Sequence, residues 1–274
     1  MTVVREDLPA IRIKRGPETT SIIRGIARIG LAIGLLVAGF IVYQFGVTSL
    51  LAHRGQTELR SQLDIRIETG ASELVVYEPL ELAQSPIAVP FDLPAFDPAS
   101  LPGLDPVSLE SPVADFPGEE FGEPVIVFES VPVAGRALGR IVIPAAGVDW
   151  AVVEGVTREN LKSGAGHMPE TALPGQQGNA VISGHRSTYG APFLHLHRVT
   201  IGDVISVETA TGTHVYQVVD TFVVEPHDTW VTDQWDGAWL TLTTCEPVLS
   251  ASQRLVVVAT LVAGPNAGTI LAGT

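Results

Sequence analysis

Leu240–Arg254 reads LTLTTCEPVLSASQR, and it organises the chain. Before it and into it runs an apolar, β-branched stretch, Trp239-Leu240-Thr241-Leu242-Thr243-Thr244, which ends on Cys245, the one cysteine present. Pro247 and a Ser/Ala stretch break the run, and Arg254 opens a second one, Leu255 to Leu261. Two such runs joined by a short loop pair most simply as neighbouring strands. That pairing sets a thiol at one strand end beside a guanidinium at the start of the next. A thiol and a fixed cation so placed suit a nucleophile and an anion-stabilising group. Taken alone, the same two residues also fit a small core cysteine and a surface arginine.

The sequence on either side supplies more strands. Gly139–Ile143, Val148–Val153, Asn179–Ser183, Asp203–Glu208, His214–Val224, Ala238–Thr244 and Leu255–Val262 are strand-like and separated by Gly-, Asp- and Pro-containing turns. Only Thr157–Leu161, with Thr157 as N-cap, suggests a short helix. The pattern predicts an all-β domain over 128–274, a closed barrel or a sandwich.

Upstream the chain changes character twice. Ile29–Leu51 is 23 residues without a charge, preceded by a basic tail holding Arg5, Arg12, Lys14, Arg15, Arg24 and Arg28. About 20 apolar residues span a bilayer core, so 29–51 reads as a transmembrane signal anchor. The positive-inside rule places 1–28 in the cytoplasm and the remainder outside the cell membrane. A cleaved signal peptide fits less well, because the apolar run exceeds a usual h-region and no A-x-A site follows it. Residues 52–127 are acidic and proline-rich. No Lys or Arg falls between Arg66 and Arg136, and Pro86, Pro90, Pro94, Pro98, Pro102 and Pro106 recur at every fourth position. Recurring proline blocks helix and central strand, so this stretch is expected as an extended linker, with a helix continuing over Gln56–Tyr77 as an option. Phe91, Phe96, Phe116 and Phe121 are unusual in a spacer and raise a second reading, a segment docked over the catalytic groove.

Charge narrows the partners. After residue 28 the chain carries ten basic against 27 acidic residues, within an overall formal charge of −14. With no basic stripe to neutralise phosphates, nucleic acid is excluded as a partner. A lone cysteine forms no internal disulfide, and in an oxidising compartment it is either buried or retained for its reactivity.

His185 follows the strand Asn179–Ser183 and Gly184, so it stands on a rigid strand end. Its ordinary pKa suits a general acid or base beside a thiol. A metal site from His185, His195 and His197 is the weaker alternative, since nothing completes the ligand set. No cofactor is expected.

Thr241-Leu242-Thr243-Thr244-Cys245 resembles the T-L-x-T-C motif of sortases, the membrane-anchored cysteine transpeptidases of bacterial surfaces. Arg254 falls where the sortase arginine is expected and His185 in the matching histidine segment. The block from Thr171-Ala172-Leu173-Pro174-Gly175 to His185-Arg186-Ser187-Thr188-Tyr189-Gly190-Ala191-Pro192-Phe193 is most similar to class E. The resemblance covers roughly residues 136–262. It implies an eight-stranded barrel in which Cys245, His185 and Arg254 are catalytic and Thr244 and Tyr189 bind substrate. It also implies cleavage of an L-P-x-T-G or L-A-x-T-G sorting signal on surface proteins. The acyl chain would pass to an amine of a peptidoglycan precursor or a pilin. One departure is Glu246, where class E members often carry His; its carboxylate opposes a thiolate unless Arg254 offsets it or Glu246 points away. Another exported thiol hydrolase, or a tethered β-barrel binding module with a buried thiol, are the competing readings.

Overall fold

A computed structural model describes residues 17–90, 92–95 and 124–272. The chain divides into two compact units, Met1–Tyr43 and Gln44–Thr274. In the first, helix α1 spans Pro17–Val42. A π-helical turn, Tyr43–Val47, and helix α2, Thr48–Glu68, follow in sequence, so the uncharged run 29–51 is helical. By length and composition this is a helix able to cross a membrane, with a mean hydropathy of 2.2 in its apolar window.

The second unit is built on a closed barrel. After β1 (Ser72–Val76) and β2 (Val125–Glu129), which pair with each other, come the eight barrel strands. They are β3 (Ala137–Ile143), β4 (Val148–Glu154), β5 (Ala165–His167), β6 (Gly178–Gly184), β7 (Val204–Thr209), β8 (Gly212–Val224), β9 (Ala238–Glu246) and β10 (Gln253–Ala263). Around the barrel the order is β10-β8-β7-β3-β4-β5-β6-β9. Two neighbouring pairs, β4–β5 and β6–β9, run parallel. Of the closed barrel and the sandwich that the strand pattern left open, the barrel is observed, with the eight strands that the sortase resemblance implied.

Strand alternation assigns every side chain in β9 and β10 to a face. Ala238, Leu240 and Leu242, with Leu255, Val257, Ala259 and Leu261, fill the interior beside Ala180 and Ile182 of β6. The opposite parity, Trp239, Val256 and Val258, packs outward against Val231 and Trp235. Cys245 and Arg254 share that outward parity. The short helix expected at Thr157–Leu161 is a single 3-10 turn, Asn160–Lys162. Ser163 is its C-cap, and Gly164 follows with a φ of 155°, a region that L side chains rarely adopt.

The stretch read as a linker is structured wherever it is described. Ala52, Gln56, Leu59 and Leu63 form the buried stripe of α2. Leu59 and Leu63 cover Ala137, Ala151 and Val153 on the outside of β3 and β4. Gln56 behaves like a strand neighbour: its Oε1 accepts from the Ala151 N–H at 2.7 Å, and its Nε2 donates to the carbonyls of Ala151 and Ser163 at 3.0 and 2.8 Å. Further on, the described residues 79–90 and 92–95 form a strap without helix, as its prolines require, but it is held down. Leu80 exchanges two bonds with the Gln177 side chain, Ala83 bridges Trp235, and Gln217 donates to the Pro94 carbonyl. Ile87 and Leu93 pack onto the outward apolar cluster. Phe91, Phe96, Phe116 and Phe121 lie outside the described residues.

Candidate active site

The site forms at one end of β9, where three strands meet. Antiparallel pairing sets Arg254 directly opposite Cys245. Directly opposite residues point to the same side with their Cβ atoms about 5 Å apart. On the other edge β6 runs parallel to β9, with Gly184 level with Thr244 at the last rung. His185, one residue beyond that rung, thus arrives beside Cys245. Sixty residues of sequence are closed by a ladder that begins at Gly178 and Ala238.

Cys245, His185 and Arg254 line one cavity of about 280 Å³, together with Val156, Leu161, Ser183, Thr243 and Thr244. None of the described residues of the strap 79–95 is in its walls. A second cavity of about 380 Å³, lined by Val76, Tyr77, Leu80, Ile126 and Phe128 among others, contains no thiol or imidazole.

Each member is fixed by its surroundings. Gly184 is required because a Cβ there would lie 2.6 Å from the buried Phe193 ring. Phe193 also donates its N–H to the His185 carbonyl at 3.2 Å. The His185 ring rests against Tyr189, with centroids 5.2 Å apart. Tyr189 and Ala191 both have positive φ, 51° and 48°, which places backbone strain in the loop that carries the histidine. Nε2 of His185 is buried and has no hydrogen-bond partner among the described residues. Burial holds the imidazole below the usual histidine range, because a charged ring loses hydration there. The Arg254 guanidinium is anchored through Nη1, which donates to the Ala251 and Gln253 carbonyls at 3.1 and 2.9 Å.

The Thr244 hydroxyl is spent inside the fold, donating to the Gly184 carbonyl at 2.7 Å, and Tyr189 packs on His185. Ser183 and Thr243 share a hydroxyl bond of 2.7 Å at the cavity floor. His195 and His197 contact each other, with ring centroids 6.2 Å apart, while His185 is paired with Tyr189. Among the described residues no three His, Cys, Asp or Glu side chains are grouped as metal ligands. Glu246 points to Arg186, whose Nη1 reaches its carboxylate. Arg186, next to His185, is the site neighbour that sequence reasoning misses; its one signal is the acidic Glu246 after the cysteine, which needs a cation.

Residues 141–262, most of the barrel, match the family model for the sortase domain. The chain belongs to the sortase family. Sortase D of Bacillus subtilis (strain 168) is 32% identical over 130 residues, 46% of this chain and 64% of that protein. Sortase SrtE1 of Streptomyces coelicolor is 30% identical over 139 residues, 45% of this chain and 40% of that protein. This sortase therefore spans less than two thirds of the length of either curated relative. Among solved structures, sortase E from Streptomyces avermitilis is 35% identical, covering 48% of this chain and 91% of that one, with a TM-score of 0.44.

Proposed function

We propose that this sortase is a membrane-anchored cysteine transpeptidase of class E type. The supporting observation is that one outward-facing cavity contains Cys245, His185 and Arg254, delivered by three adjacent strands. The Cys245 thiolate attacks the backbone carbonyl carbon of the sorting-signal threonine, and the oxyanion forms next to the Arg254 guanidinium. Collapse expels the glycine amine, which takes its proton from the His185 imidazolium and leaves a thioester. The incoming amine gives a proton back to His185 as it displaces the thiol. Burial disfavours the charged form of the His185 imidazole. Residues 29–51 anchor the chain, with 1–28 in the cytoplasm and the barrel outside. The substrates are surface proteins with an LPxTG- or LAxTG-like signal, and the acceptor is a peptidoglycan or pilin amine.

The test uses the full chain in detergent, incubated with L-P-x-T-G and L-A-x-T-G peptides and examined by intact mass. A thioester adduct that disappears in Cys245→Ala is expected. A folded protein with an alkylatable thiol and no adduct from either peptide would refute the sorting activity.

A further inference from the structure

The backbone ladder between β6 and β9 ends at Gly184 and Thr244, one residue short of both His185 and Cys245. A side chain continues it. Arg186, only 3% exposed, donates from Nη1 to the Cys245 carbonyl at 3.2 Å and to the Glu246 carboxylate. Its Nε donates to the Leu194 carbonyl at 3.2 Å, and its Nη2 lies 3.3 Å from Nδ1 of His197. Each end of the Arg186–Glu246 pair is therefore the chain neighbour of a site residue.

We propose that Arg186 is a positioning residue for the nucleophile, an inference that rests on Cys245 being the reactive thiol. It has two effects. The planar fork fixes the Cys245 peptide relative to the His185 loop, a task that a point charge on a flexible stem performs less well. It also cancels the charge of Glu246 and draws that carboxylate out of the cavity, whose walls do not include Glu246. The groups facing the thiol are then His185 from the end of β6 and Arg254 from β10, with the Glu246–Arg186 pair on its own strand's side and His197 behind Arg186. Without Arg186, an uncompensated carboxylate would adjoin the thiol and oppose its ionisation. Without Glu246, a buried cation would remain next to the Cys245 carbonyl and favour it.

The readout is the pH midpoint of Cys245 alkylation in the full chain, which requires no substrate. The proposal predicts an ordered series: Arg186→Gln raises the midpoint by about one pH unit, roughly tenfold slower alkylation below it. Glu246→Gln lowers the midpoint, and the double variant returns to that of the unmodified chain. Midpoints that do not move, or a double variant as displaced as Arg186→Gln alone, would overturn it. Should Arg186→Gln fail to fold, Glu246→Gln and Arg186→Lys decide. The lysine variant is expected to keep the midpoint but form thioester more slowly, and an unmoved Glu246→Gln midpoint would refute the proposal. If the unmodified chain alkylates in this ordered way yet never forms a thioester with either peptide, the sorting reaction fails while the role of Arg186 stands.

Discussion

His167 ends β5 and His185 follows the end of the neighbouring β6, yet their surroundings give them opposite characters. His167 is 1% exposed, with Nδ1 2.7 Å from Glu154 Oε2 and Nε2 2.9 Å from the Ala172 carbonyl. With Thr171 Oγ1 also 3.2 Å from Nε2, both ring nitrogens are engaged inside the fold, and the imidazole has no capacity left for a substrate. His185 is half-buried, and its Nε2 has no partner. A buried polar atom left unsatisfied costs stability, so its presence at a cavity wall marks a group reserved for something else. Hydrogen-bond saturation separates the structural histidine from the chemical one.

This contrast can be broken most severely at the nucleophile. Cys245→Ala should abolish thioester formation outright while leaving the thermal unfolding profile in place, as read by intact mass and calorimetry. His185→Gln should lower the acylation rate by about 10²- to 10⁴-fold, the usual contribution of a general acid, with little change in Tm. The reverse is expected at the other histidine: Glu154→Gln should cost about 1–3 kcal/mol in denaturant unfolding, as for a buried hydrogen bond that loses its partner, with acylation per folded molecule retained. If His185→Gln unfolds the protein and Glu154→Gln does not, the distinction between the two sites is lost.

A third histidine shows that an unpartnered nitrogen marks chemistry only where it meets the cavity, whose walls include His185 and not His214. His214 is fully buried, its Nδ1 lacks a partner, and desolvation pushes its pKa down to about 4. Its folded pKa lies below the unfolded one, so the unfolded chain binds the proton first as pH falls. Stability should therefore be intact above about pH 6.5 and decline towards pH 4, by on the order of 3 kcal/mol from this group. Chemical denaturation across that range, compared with His214→Leu, reads the contribution as a lost slope. The smallest effect belongs to the strap: Leu93→Ala should cost about 1 kcal/mol, since its side chain is only partly buried, and leave acylation unchanged.

Most barrel strands were legible because alternation and turn residues are local signals, and Cys245 could be set against Arg254 because a short loop joins their strands. Two features were not. β5 is only three residues, Ala165-Gly166-His167, too short for any period to show. The juxtaposition of His185 with Cys245 depends on the parallel β6–β9 pairing, and nothing in either strand's pattern names its parallel neighbour. The family resemblance supplied that link. The strap and α2 were concealed for a different reason. Proline excludes helix from the described residues of 79–95, but an extended chain can still be packed, and Ile87 and Leu93 are too widely spaced to advertise it. In α2 the stripe is interrupted by Gln56, a polar residue whose burial makes sense only once Ala151 lies opposite.

That glutamine also separates two notions of a module. The stretch inherited in recognisable form begins at residue 141, inside β3. The amide that completes the backbone bonding of Ala151 lies at residue 56, and the leucines that keep water from β3 and β4 are at 59 and 63. The evolutionary unit is thus smaller than the cooperative one. A recombinant fragment trimmed to the conserved borders would begin with a bare, water-facing flank on β4, and its tendency to self-associate would reflect the cut rather than the enzyme.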